Sequence, residues 1–95
     1  MVDYKIKIDD NSYVKENDYG TKFWYQNDLL HRLDGPAIEF FNGDKEWYQN
    51  NKFHRLDGPA VEYINWIKYW FYENQYIECS TQEEFERIIK LRIFW

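Results

Sequence analysis

Apolar and polar residues alternate along Tyr4-Lys5-Ile6-Lys7-Ile8, a period of two that predicts a strand, and Asp9-Asp10-Asn11-Ser12 supplies turn residues before Tyr13-Val14. An opening hairpin is expected. Lys22 to Gln26 and Lys45 to Gln49 read as aromatic-rich strands, each followed by a dipeptide that tolerates left-handed backbone, Asn27-Asp28 and Asn50-Asn51. Second, short strands are predicted from Ala37 to Phe41 and from Ala60 to Ile64, with Asn42-Gly43-Asp44 turning the chain between units. Alternation puts Trp24, Trp47 and Trp70 on one face and Tyr25, Tyr48 and Phe71 on the other. In the second strands Ile38 and Phe40, matched by Val61 and Tyr63, take one side, and Glu39 and Glu62 take the other. A sheet with two apolar faces needs a cover.

Beyond residue 80 the period changes. Phe85, Ile88 and Ile89 share a face at helical spacing, acids precede Arg87, Lys90 and Arg92, and Ser80 with Glu83 reads as a capping box. A helix from about Thr81 to Leu91 is expected to lie on the sheet. Burying its three apolar side chains contributes about 5 to 8 kcal/mol before entropy, so its deletion is expected to unfold or aggregate the protein. The apolar ending Ile93-Phe94-Trp95 reads as either a core contact or a self-association surface.

These elements recur with a fixed step. His-Arg-Leu-Asp-Gly-Pro-Ala occurs at His31 to Ala37 and again 23 positions later at His54 to Ala60. Gly20 to Asn27 aligns with Gly43 to Asn50, and Ile67-Lys68-Tyr69-Trp70-Phe71 opens a decaying third copy in which Ile77-Glu78-Cys79 replaces His-Arg-Leu. Gly35 and Gly58 are expected to supply an unusual backbone angle and the following prolines to deny a ladder donor. The chain divides into an N-terminal hairpin or degenerate repeat (1–19), repeat 1 (20–42), repeat 2 (43–65), a partial repeat 3 (66–79) and the helix (80–92). The fold class is mainly β: an antiparallel β-meander of hairpin repeats with one C-terminal α-helix packed on the sheet.

Composition narrows the classes. Ninety-five residues, 44% hydrophobic and 22% aromatic, suit one small domain. A single Cys79 excludes an intramolecular disulfide framework and fits a reducing cytoplasm. No apolar run reaches a membrane span, and Met1-Val2-Asp3-Tyr4-Lys5 lacks the pattern of a signal peptide. Seventeen acids against twelve bases, a net charge of -5, oppose direct nucleic-acid binding and favour basic protein partners.

The candidate chemistry lies in the repeated motif. Arg32 or Arg55 could grip a phosphate, with His31 or His54 donating beside it and Trp24 or Trp47 stacking a base. The competing reading pairs Arg32 with Asp34 and Arg55 with Asp57 across the turn, while both histidines pack on the aromatic column and bond a backbone group. One His per repeat lacks metal-ligand spacing, and Ser12, Ser80 and Cys79 fall in a turn, a cap and an apolar strand. No metal, cofactor or catalytic residue is therefore expected. Glu39 and Glu62, if they joined loop acids in one row, could imitate a phosphate backbone.

The order aromatic, Asn, polar residue, two variable residues, His and a later Gly resembles the MORN repeat, carried by Tyr48, Asn50, His54 and Gly58 and by Tyr25, Asn27, His31 and Gly35. The longer wording with Trp before Tyr and His-Arg-x-Asp-Gly-Pro-Ala is similar to a divergent MORN-like repeat of small phage, large-virus and bacterial proteins. That resemblance implies an antiparallel β-repeat fold and binding rather than catalysis. Two functions are expected from it and the residues together. One is a non-enzymatic interaction module, a phage or viral inhibitor that occupies a host defence protein through an acidic, aromatic surface. The other is a binder of a nucleotide or cyclic nucleotide signal. A homodimer is compatible with both.

Overall fold

Paired left-handed residues recur at the 23-residue step in the computed structural model, which describes residues 4–93. Asn27 and Asp28 (φ 51° and 62°), Asn50 and Asn51 (50° and 66°), and Glu73 and Asn74 (43° and 70°) form tight hairpin turns. They join β3 (Lys22–Gln26) to β4 (Leu29–Leu30), β7 (Tyr48–Gln49) to β8 (Lys52–Phe53), and β10 (Lys68–Tyr72) to β11 (Gln75–Ile77). The third copy keeps this turn although its first position is Glu. A second turn series spans 17–21, 40–44 and 63–67, where the first N–H donates to the last carbonyl at 3.1, 2.9 and 2.9 Å. Its left-handed position is Gly20, Gly43 and then Trp66, at φ 90°, 98° and 72°. The segment before residue 20 therefore follows the repeat path at its end.

The remaining elements are β1 (Tyr4–Lys7), β2 (Ser12–Glu16), β5 (Ile38–Glu39), β6 (Lys45–Glu46), β9 (Val61–Glu62) and the helix α1 (Gln82–Ile93). The main sheet runs β1-β2-β3-β5-β6-β9-β10-β11 with β4 paired to β3, every pairing is antiparallel, and β7–β8 form a separate ribbon. Mainly β with one C-terminal helix is the architecture expected.

Details differ. The expected strand from Lys45 to Gln49 breaks at Trp47, whereas Lys22 to Gln26 is continuous because β2 flanks it along its whole length, from Ser12 opposite Gln26 to Glu16 opposite Lys22. β6 has only two-residue partners, so nothing carries its ladder through Trp47. The predicted strands 37–41 and 60–64 shrink to β5 and β9, since Phe40 and Tyr63 already donate into the connecting turns. The helix cap is one residue later than expected: Thr81 Oγ1 accepts from the Glu84 N–H at 3.2 Å and lies 3.5 Å from the Glu84 carboxylate.

Register sorts the faces as alternation predicts. Trp24 and Trp70 share one face with Lys22, Glu39, Lys45, Glu62 and Lys68, while Phe23, Ile38, Glu46, Val61 and Tyr69 share the opposite one. On that opposite face the rings of Tyr48, Phe53, Phe71 and Tyr76 follow one another at centroid distances of 4.4, 4.7 and 5.7 Å. The helix covers the tryptophan face at one end only, where Trp70, Ile77, Phe85 and Ile89 form the buried cluster with Tyr72, Cys79 and Ile88 packed against it. Ile38 and Val61, with Ala37 and Ala60, are buried within the repeats. The first three residues and Phe94-Trp95, the apolar ending considered above, lie outside the described residues.

Candidate functional site

The repeated heptapeptide satisfies itself almost completely. Arg55 lays its guanidinium 3.8 Å from the ring centroid of Trp47, and Arg32 does the same over Trp24 at 3.9 Å. Each Nε donates to the Asp two residues on, Arg32 to Asp34 at 3.0 Å and Arg55 to Asp57 at 2.9 Å. Each Nη1 donates to the proline carbonyl, Pro36 or Pro59, at 3.1 Å. The strand glutamate closes the ring of partners: Arg32 Nη1 lies 3.6 Å from Glu39 and Arg55 Nη1 3.1 Å from Glu62. A cation so placed is held as a structural strut.

The glycines have a different job from the one expected. Neither Gly35 nor Gly58 has a positive φ; a Cβ there would lie 2.8 Å from Arg32 Cζ or 2.6 Å from Arg55 Cζ. Glycine clears room for the guanidinium. Ala37 and Ala60 are fully buried, and their carbonyls accept from the Trp24 and Trp47 N–H groups at 2.8 Å.

The histidines bind each repeat to the next. The Asn50 N–H donates to His31 Nδ1 and the Glu73 N–H to His54 Nδ1, both at 3.1 Å, so each Nδ1 carries a lone pair toward the following turn. Asn51 and Asn74 reinforce this, accepting on Oδ1 from Leu30 and Phe53 at 2.7 and 3.2 Å. His54 also packs on Tyr72 at 5.1 Å, and burial pushes its pKa down, opposed by nearby Glu73.

Glu39 and Glu62 do not join a phosphate-like row of acids. Glu39 lies in register between Lys22 and Lys45, and Glu62 between Lys45 and Lys68, because successive strands alternate in sign; Glu16 opposite Lys22 extends the series. Charge is paired across the strands rather than accumulated. Glu46 belongs to the other face, accepting from the Tyr48 hydroxyl at 2.8 Å; burial and that carboxylate push the phenol's pKa well up. Among the described residues no group of three His, Cys, Asp or Glu side chains is placed to hold a metal ion.

One motif position has a side chain outside this network, although the Leu56 carbonyl accepts from Gln82 Nε2 of the helix at 2.8 Å. Leu33 and Leu56 are 76% and 54% exposed, although they repeat in register and are flanked by residues that are all engaged. Each lines shallow open grooves on the tryptophan side. One, about 270 Å³, lies between Ile8 and Leu33 beside Trp24; the next, about 370 Å³, lies between Leu33 and Leu56 beside Trp47. Asp34 and Asp57 rim them with carboxylates whose side chains are 86% exposed, whereas their Arg partners are about one-fifth exposed, at 21% and 19%. Water therefore meets leucine and carboxylate. The MORN-like pattern leaves this leucine variable, whereas the chain keeps it in both full copies, and that identity is the signal for it.

Compared with protein-family models, curated proteins and solved structures, the chain matches none. Fold and site together define an antiparallel β-hairpin repeat protein whose open grooves are flanked by exposed leucines and aspartates, with arginine-covered tryptophans beside them.

Proposed function

We propose that this chain is a non-enzymatic interaction module that binds a protein through the groove face bearing Leu33 and Leu56, with Asp34 and Asp57 favouring a basic surface on the partner. The observation that carries this reading is the exposure of the motif's leucines while its other residues are committed to the fold. Repeated exposed apolar side chains in an acidic frame suit a protein contact. Binding rather than catalysis is also what the MORN-like resemblance implies. The nucleotide-binding alternative has weaker support, because Arg32 and Arg55 already donate within their own repeats.

The test compares the tagged chain with a Leu33→Ser/Leu56→Ser variant in capture from the lysate of its own cells. Exposed substitutions of this kind shift stability by about 0.5 kcal/mol or less, so the fold is retained. A stoichiometric protein held by the parent chain, lost from the variant and weakened by salt, is the expected result. The same protein held equally by both would sink the groove reading, and a heat-released nucleotide without protein would favour the small-ligand alternative.

A further inference from the structure

The outer side of β1 has no partner strand among the described residues, and its side chains alternate in chemistry. Tyr4 and Ile6 project on the tryptophan face, 61% and 63% exposed, while Lys5 and Lys7 project on the other. Inside the sheet, each lysine from Lys22 to Lys68 on the tryptophan face has a glutamate across from it. At this edge the pattern changes: Lys5 lies opposite Lys15, and Lys7 opposite Tyr13. Lys5 lies over the Tyr13 ring at 4.1 Å and Lys15 stands 5.7 Å from the Tyr25 ring, while Lys7 reaches the exposed carboxylate of Asp10 at 3.3 Å. Within a molecule of net charge -5, the described residues of this edge thus include two lysines and no acid.

We propose that this edge receives an extended segment of another protein as an added antiparallel strand, with acidic side chains opposite Lys5 and Lys7 and apolar ones opposite Tyr4 and Ile6. The strand's free main-chain groups supply the pairing, and alternate side chains supply the choice of partner. A second copy of the chain is a poor occupant. Antiparallel pairing of two β1 edges that keeps the faces continuous brings residues of the same parity together, so in the registers centred on Lys5 or Ile6 a lysine meets Lys5 or Lys7 of the other copy. The same lysines that block self-pairing invite an acidic strand. This strand uses none of the residues that line the Leu33 and Leu56 grooves, and each surface can fail without the other.

The test uses the full chain and two synthetic nine-residue peptides, one alternating Glu with Val and the other Lys with Val, each carrying a fluorophore. Fluorescence anisotropy is expected to show the Glu peptide binding and the Lys peptide about tenfold or more weaker, two cross-strand charge pairs being reversed. Lys5→Glu/Lys7→Glu should invert that preference, whereas Leu33→Ser/Leu56→Ser should leave it unchanged. Amide exchange should slow in residues 4–7 when the Glu peptide is added. Equal binding of both peptides, binding of neither, or protection confined to other strands would overturn the proposal.

Discussion

At the scale of single residues, the motif works because one glycine makes space for one guanidinium. Gly58→Ala places a methyl group where Arg55 lies, so the arginine must leave Trp47 and give up hydrogen bonds to Asp57, Pro59 and Glu62. The expected loss is about 2 kcal/mol in chemical denaturation. In an Arg55→Ala background the same alanine should cost far less, since the clash has gone and φ there suits an ordinary residue. Equal costs in both backgrounds would mean that the glycine serves something else. His54 gives a pH-dependent counterpart. Its pKa is depressed below the ordinary 6.5, so below that value the unfolded chain takes the proton more readily than the folded one. Stability is then complete above about pH 6.5, declines as pH falls toward the histidine's own lower value, and flattens beyond it. His54→Asn keeps an acceptor for the Glu73 N–H without the titration. Melting curves from pH 7.5 to 5 should therefore fall more steeply for the parent than for the variant, and parallel curves would remove His54 as the cause.

Elements were legible where a few adjacent residues encode them, and less so where register decides. The turns at Asn27-Asp28 and Asn50-Asn51 follow from side chains that tolerate positive φ, and the helix follows from the spacing of Phe85 and Ile89. The break at Trp47 depends on how long the neighbouring strands are, which no local pattern records. The charge ladder and the use of glycine to admit an arginine likewise arise between segments. So does the free leucine, whose exposure is visible only after its neighbours have found their partners. The helix start shows a near miss that can be measured. Ser80 and Glu83 have the spacing of a capping box, but Thr81 and Glu84 have it too, and Thr81 makes the bond. Thr81→Ala should cost about 1 kcal/mol and Ser80→Ala almost nothing, read as shifts in the denaturation midpoint. The reverse order would restore the earlier cap.

The whole molecule is a thin slab, 45 × 32 × 17 Å, rather than a layer wrapped around one centre. Its largest apolar cluster sits at the helix end, whereas repeats 1 and 2 are tied by small buried sites and by bonds from each repeat to the next turn. Such a chain is held together mainly by neighbouring units, so damage at one end need not reach the other with full force. Phe85→Ala makes this concrete. Phe85 is buried against Trp70, Ile77 and Ile89, and truncating it should cost about 3 kcal/mol at that end. Native-state hydrogen exchange should then show β10 and β11 losing protection first, because α1 is their cover. β2 and β3 should lose less, being paired over five residues and backed by the Tyr13 and Tyr25 stack at 5.1 Å. A uniform loss across all strands would instead make the slab one cooperative unit, with the helix as support for every repeat, which is what the unfolding expected on deleting that helix requires; a loss confined to β10 and β11 would reduce that expectation to local fraying.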